Sequence, residues 1–196
     1  MDKITRQLTR ERDGGYKQVF PFTTYSMIFD QTKWPQDENA QAFIRHLQAS
    51  FLTGMKGLEK SPSSMPELLL ETRKVYQSEF CDYVKLSGAT GKGKRQHEIV
   101  ENYFMDNHPD CIAIEAPVND MEVEGCIDIL LMQAEPFKII ILDYKPNAAK
   151  EKKAATQLFY YLKSLIVQTN IDSQYFDLYY FDEKDCFQVI KPKKIL

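Results

Sequence analysis

The sequence predicts an α/β chain whose second half is one mixed sheet between helices. Three observations predict it. Apolar strand-like runs follow one another at "CIAIEAPV", "EGCIDILLM" and "FKIIILDYK", and segments of helical period stand before and after them. Two further strand runs, "YFDLYYF" and "CFQVIKP", close the chain around a tight "DEKD" turn. The resulting order, α-β-β-β-α-β-β, belongs to an α/β sandwich whose first three strands form a meander.

Each element has its own local reason. Within the first 35 residues, "YKQVFPFTTYSMIFD" is aromatic-rich with hints of alternation and fits a strand or an extended segment. From Asn39 to Lys60, Phe43, Leu47, Phe51 and Met55 recur four apart, the mark of an amphipathic helix. "SPSS" forms a turn, and Ser-Met-Pro opens a second helix through "ELLLETRKVYQSEFCDYVKL". "SGATGKGKR" is a glycine-rich, basic break. It divides a mostly helical region, 1–89, packed on the rest, from a core at 90–196. In that core the helix "RQHEIVENYFMDN" stops near His108-Pro109, and Pro146-Asn147 separates the third strand from the helix "AKEKKAATQLFYYLKSLIVQ".

Composition narrows the class. With 43% hydrophobic and 27% charged residues the chain is an ordinary globular one rather than a disordered one. A net charge of −3 gives no overall attraction to nucleic acid, so a polyanion site has to be a local basic patch. No apolar run approaches the roughly 20 residues that span a bilayer. "MDKITRQLTRERDGG" lacks the apolar core of a secretory signal, so an intracellular location is expected, in the cytoplasm or in a host cytoplasm for a viral protein. Cys81, Cys111, Cys126 and Cys186 form no CxxC pair and are expected as reduced, structural thiols.

Two acids stand where acids are costly. Asp128 interrupts "GCIDILLM", and Asp143 ends the aliphatic run "KIIILDYK" two residues before Lys145. Strand residues two apart share a face, so Asp143 and Lys145 project together. Adjacent antiparallel strands can bring Asp128 beside Asp143, where ionised carboxylates repel unless they are paired or share a cation. Mg²⁺ and Mn²⁺ favour such oxygen donors. The alternative is a buried Lys145–Asp pair with the second aspartate solvated.

The ordered set Gly93-x-x-x-His97, Gly125-x-x-Asp128, Asp143-x-Lys145 and Gln157-x-x-x-Tyr161 resembles the PD-(D/E)XK nuclease superfamily. It is most similar to the RecB-type branch, which includes the CRISPR adaptation exonucleases and the mitochondrial genome-maintenance exonuclease. The resemblance covers about residues 90–191. It implies a restriction-endonuclease-like core and a metal-dependent DNA nuclease, more exonuclease than endonuclease. Under it, Asp128, Asp143, His97 and the Tyr144 carbonyl hold Mg²⁺ or Mn²⁺, and Lys145 orients or activates water and steadies the phosphate. Gln157 and Tyr161 lie along single- or double-stranded DNA. The iron–sulfur members carry one upstream cysteine and three clustered near the C-terminus; here the tail has Cys186 alone, so no iron–sulfur cluster is expected. Pro146 also departs from the small hydroxyl residue common after the lysine.

Other readings stand beside this one. Lys92, Lys94 and Arg95, and Lys150, Lys152 and Lys153, flank the acids as phosphate contacts should, and equally make solvated basic faces. Leu158, Tyr161, Leu162 and Leu165 share a helical face, which makes Tyr161 equally a core residue. Glu101 either joins the metal or is an exposed helix carboxylate, and Glu115 either supports the site or is incidental to its strand. Glu98 is a lesser candidate, while His46, His108 and Trp34 are expected to be structural. "HEIVE" resembles the zinc-peptidase H-E-x-x-H with Glu101 replacing the second histidine. A non-catalytic nucleic-acid-binding module on the same fold is the remaining alternative. Membrane contact is not expected.

Overall fold

The computed structural model describes residues 1–196 except 13–14, 58–59, 90–94, 121 and 193–196. One mixed sheet runs through it. Its strands are β1 (Lys3–Arg12), β2 (Tyr16–Tyr25), β3 (Thr72–Val75), β4 (Cys111–Asn119), β5 (Glu124–Ala134), β6 (Phe137–Tyr144), β7 (Phe176–Phe181) and β8 (Cys186–Val189). In space they follow the order β1-β2-β4-β5-β6-β7-β8-β3. The β4-β5-β6 meander is antiparallel, and β6 and β7 are the parallel pair. A parallel pair needs a crossover, supplied here by α4 (Ala154–Thr169).

Helices cover both faces. Phe43, Ile44 and Leu47 of α1 (Glu38–Thr53) join Leu158, Leu162 and Leu165 of α4 in one core. Phe80 and Val84 of α2 (Glu79–Ser87) join Val100, Phe104 and Met105 of α3 (Arg95–Asn107) in the other. Among the described residues no helix is long and apolar enough to cross a membrane. The four cysteines are free and buried.

The N-terminal region departs from the helical expectation. β1 and β2 form a hairpin of ten facing pairs at one sheet edge, and β3 forms the other edge beside β8. The break near 89 therefore does not divide the sheet. β1 was hard to read because its inward positions alternate Ile4, Arg6, Leu8 and Arg10, so arginines interrupt the apolar pattern. Those arginines have local work: Arg6 donates to the Phe51 and Leu52 carbonyls at the end of α1, and Arg10 to the Glu124 carbonyl at 3.2 Å. The long helix expected after Pro66 is instead coil, β3 and the short α2. Ser78 caps α2 by accepting from the Phe80 N–H at 3.3 Å, and the β-branched Thr72 and Val75 pair with β8. α1 stops at Thr53, short of Lys60, because Gly54 takes a left-handed φ of 72°.

Gly125 locks α4 to β5. A Cβ there would stand 3.0 Å from both Tyr161 Cε1 and Pro62 Cδ, and 3.2 Å from the Tyr161 hydroxyl. The bare backbone lets the Tyr161 ring lie flush on the strand. Gly125→Ala should therefore destabilise the fold by ~1–3 kcal/mol through overpacking, seen as a lower urea midpoint with an unchanged slope.

Candidate functional site

The sheet breaks its own alternation at the acids. Residues two apart on a strand share a face, yet Ile114 and Ala116 belong to opposite cores, as do Ile127 and Ile129. The dislocation on β4 falls at Glu115, whose φ of 51° is left-handed. On β5 it falls at Asp128, which stands opposite because Ile114 pairs with Ile129 and Ala116 with Ile127. A non-glycine residue in this conformation costs about 1–3 kcal/mol and occurs preferentially at functional sites. The β2–β4 ladder, Thr24–Ala113 and Thr23–Ile114, ends one residue before the same kink.

Between β5 and β6 the last facing pair is Ile129–Leu142, so Asp128 and Asp143 are the next residues along. There the Asp128 carboxylate takes over from the backbone and accepts the Tyr144 N–H at 2.9 Å. The N–H and C=O of an extended residue leave a strand on one side, so the Tyr144 carbonyl also faces β5. Lys145 Nζ lies 3.0 Å from Asp143 Oδ1 and 2.9 Å from Oδ2, and the Oδ1 contact alone has hydrogen-bond geometry. Lys145 is itself held where β6 ends, its N–H donating to the Phe181 carbonyl at 2.9 Å. Just beyond, Asn147 turns the chain with a φ of 66°, and buried Asp182 accepts the Ala148 N–H at 2.7 Å.

α3 brings His97 and Glu101 onto this point. Spaced by four, they face the sheet together. His97 Nδ1 lies 3.4 Å from Asp128 Oδ2 and 3.9 Å from Glu101 Oε1. One ligand atom each from His97, Glu101 and Asp128 lies within 4.8 Å of the others. Glu101 is 3% exposed and its Oε1 is buried without a hydrogen-bond donor, so the exposed alternative does not apply to it. The ligand grouping thus includes Glu101, while Asp143 stands beside it bound to Lys145. An imidazole nitrogen with carboxylate oxygens, one of them orphaned, is a donor set suited to Mg²⁺, Mn²⁺ or Zn²⁺.

Electrostatics point the same way. Burial, the Asp128 charge and other nearby carboxylates push Glu101 well above the usual carboxylate range. Burial and Asp128 raise Glu115 to about 8. Burial raises Asp143 to about 7, against the opposing pull of Lys145. For Asp128, burial is outweighed by the His97 hydrogen bond, Lys145 and the Tyr144 N–H, and its pKa is lowered. Burial of Lys145 is likewise overcome by Asp143 and Asp128, so the ammonium is held charged.

The remaining predicted residues lie nearby or elsewhere. Tyr161 is buried, its hydroxyl donating to the Cys126 carbonyl at 2.6 Å and accepting from Gln157 Nε2 at 2.8 Å. The pair therefore ties α4 to β5, and Tyr161 takes the core role. Arg95 is exposed at the start of α3, while Lys92, Gly93 and Lys94 lie outside the described residues. Lys150, Lys152 and Lys153 are exposed ahead of α4. His108 is buried and His46 half-buried, and burial lowers the His46 pKa to about 4. The cleft that leads to His97, Glu101 and Glu115 has a volume of ≈ 760 Å³ and is walled on its far side by the β1–β2 hairpin. That wall was not legible in the sequence, because it depends on β2 parting from β4.

Two outcomes follow. Asp143 and Glu115 hold protons in the folded state that the unfolded chain releases near the ordinary values of 3.8 and 4.5, so their contribution to stability is lost as pH rises toward about 7 and 8. Without divalent cations the melting temperature should fall across that window; Mn²⁺ should raise it strongly at its alkaline end and little at its acid end, as differential scanning fluorimetry would record. Glu115→Gly, which removes both the half-buried carboxyl and the left-handed strain, should raise the melting temperature, corresponding to about 1–2 kcal/mol.

No family model, curated protein or solved structure matches this chain, so the functional reading rests on the geometry of the site itself.

Proposed function

We propose that this chain is a Mg²⁺- or Mn²⁺-dependent deoxyribonuclease built on a restriction-endonuclease-like core of the PD-(D/E)XK type. One observation carries the reading: His97, Glu101 and Asp128 converge at the strand end where Asp143 grips Lys145. His97, Glu101 and Asp128 would hold the ion, with Asp143 and the Tyr144 carbonyl adjoining. A bound divalent ion would supply Lewis acidity and a bound water of lowered pKa.

The protein's own groups account for the rest. Phosphodiester hydrolysis builds negative charge on the phosphate and on the leaving 3′-oxygen. Lys145 keeps its positive charge because two carboxylates face it, and it meets that developing charge from a fixed position. Asp143 aims the ammonium, and the Phe181 carbonyl fixes the backbone that carries it. Asp128 spans α3 and β6 through His97 and the Tyr144 N–H, so a single carboxylate sets the spacing between the helix and the strand end. Exposed Arg95 and Lys150, Lys152 and Lys153 offer DNA-backbone contacts.

A second reading draws on the same grouping. His97 and Glu101 belong to "HEIVE", Asp128 would supply a third zinc ligand, and Glu98 lines the cleft. A zinc peptidase of this kind leaves the Asp143–Lys145 pair without a task, which places it second.

Wild type, Asp128→Ala and Lys145→Ala on end-labelled linear and circular DNA, with Mg²⁺, Mn²⁺ or EDTA, decide the matter. Each substitution should cut the cleavage rate by at least about a hundred-fold, and EDTA should abolish it. Undiminished cutting in EDTA would reject the mechanism; zinc-dependent peptide cleavage without DNA cleavage would install the peptidase; specific DNA binding without cleavage under any cation would leave a binding module.

A further inference from the structure

The sheet ends on a long, bare strand. β1 lies at one edge and runs ten residues, well beyond the usual strand length, with no proline and an unbroken register against β2. Edge strands are ordinarily short, bulged or covered, because their outward N–H and C=O groups invite another chain. Here the residues that carry those groups can be named. The Ser26 N–H donates to the Asp2 carbonyl at 2.8 Å, and bonded pairs alternate along an antiparallel ladder. Ile4–Thr24, Arg6–Phe22, Leu8–Phe20 and Arg10–Gln18 are therefore the bonded pairs, while Gln7 faces Pro21, which has no N–H to give. Lys3, Thr5, Gln7, Thr9 and Glu11 aim their backbone groups outward. All five are exposed, and among the described residues no backbone group meets them.

The hairpin also lacks support on its inner side. β2 meets β4 through Thr24–Ala113 and Thr23–Ile114, so from Phe22 outward β1 and β2 form a two-stranded ribbon resting on α1 through Leu8 and Phe22. A ribbon of two strands is marginal in water. The inward arginines that would guard its edge are committed within the chain, Arg6 to the Phe51 and Leu52 carbonyls and Arg10 to the Glu124 carbonyl.

We infer that β1 pairs antiparallel with β1 of a second copy about a two-fold axis at Gln7, joining the two sheets into one. Outward groups must meet outward groups, so odd-numbered residues face odd-numbered ones. Centred on Gln7, the joint sets Gln7 opposite Gln7 and, twice each by symmetry, Thr5 opposite Thr9 and Lys3 opposite Glu11. Facing threonines and opposite charges are favourable cross-strand pairs. Charge selects the register. Within one copy Lys3 pairs with Asp106, and Lys17 lies 3.5 Å from Glu11. Across the joint the row becomes Lys17, Glu11, the partner's Lys3 and the partner's Asp106, alternating in sign. A slip by two residues sets Lys3 opposite Thr9, or Glu11 opposite Thr5, and loses both pairs. Parallel alignment in register sets Lys3 on Lys3 and Glu11 on Glu11. Because Gln7 also lines the cleft, the two clefts adjoin on one face of the joined sheet.

The test follows the full chain by sedimentation velocity over a concentration series, without DNA or metal. Wild type should form a dimer whose fraction rises with concentration. Thr9→Pro removes an outward N–H while sparing the β1–β2 bonds, and should be monomeric. Lys3→Glu and Glu11→Lys each set two like-charged pairs across the axis and should weaken self-association about ten-fold or more. Their equimolar mixture, whose mixed dimer has opposite charges at both pairs, should associate as wild type does. Mild oxidation reads the register: Gln7→Cys should link to itself and Thr5→Cys should not, the four native cysteines being buried. Melting curves accompany every variant, and the exposed Lys3 and Glu11 keep the test open if Thr9→Pro unfolds. A wild-type monomer throughout the series, a dimer retained in folded Thr9→Pro, a mixture no stronger than its components, or Thr5→Cys linking to itself as readily as Gln7→Cys would each overturn the inference. None of these measurements involves cleavage, so the nuclease reading stands or falls separately.

Discussion

Four carboxyl groups, Glu101 of α3, Glu115 and Asp128 within β4 and β5, and Asp143 where β6 ends, are crowded together against Lys145 and His97. An ionised carboxylate taken from water costs several kcal/mol unless it is compensated. Here the compensation is partial: Asp128 is well held, Asp143 has one cation, and Glu101 has an orphaned oxygen. Such a cluster survives in a fold because the rest of the chain is stable enough to hold it. The cores on either face of the sheet supply that stability.

The strain at Glu115 belongs to the same arrangement. A regular β4 would continue its pairing with β2 and keep its alternation with β5. The left-handed residue instead turns β4 away, ends one ladder and swaps the face presented on the other side. The acids gain a place between the layers, and the cleft gains its opening. Local distortion, buried charge and an open approach therefore coincide within a few residues. Proteins tolerate violations of local rules of this kind where they serve a site.

Much of the sheet was legible because its signals are local. β4, β5, β6, α3 and α4 are strongly periodic or continuously apolar, and their order already implied a mixed sheet with a meander. The Asp143–Lys145 contact was legible too, since two residues apart on a strand means one face. Glu101 was harder: its spacing from His97 was plain, but whether that face met solvent or the sheet depended on how α3 docks. β1 and β3 were missed because their inward or edge positions carry Arg6, Arg10, Arg73 and Lys74, whose partners come from distant parts of the chain. Tyr161 lay on a helical face shared with leucines, and the packing against Gly125 decided for the core.

The sequence by itself determined which segments are strands and helices in the second half, that Asp128 interrupts one apolar strand, that Asp143 and Lys145 close another, and that a histidine stands near the start of the helix before them. Those properties follow from side-chain period and from the cost of burying charge, both of which are written along the chain. Tertiary structure alone decided that Glu101 joins His97 and Asp128, that Glu115 is strained, and that a hairpin from the N-terminus walls the cleft. Each depends on contacts between residues far apart in sequence, where register and helix docking, rather than local preference, set which side chains meet.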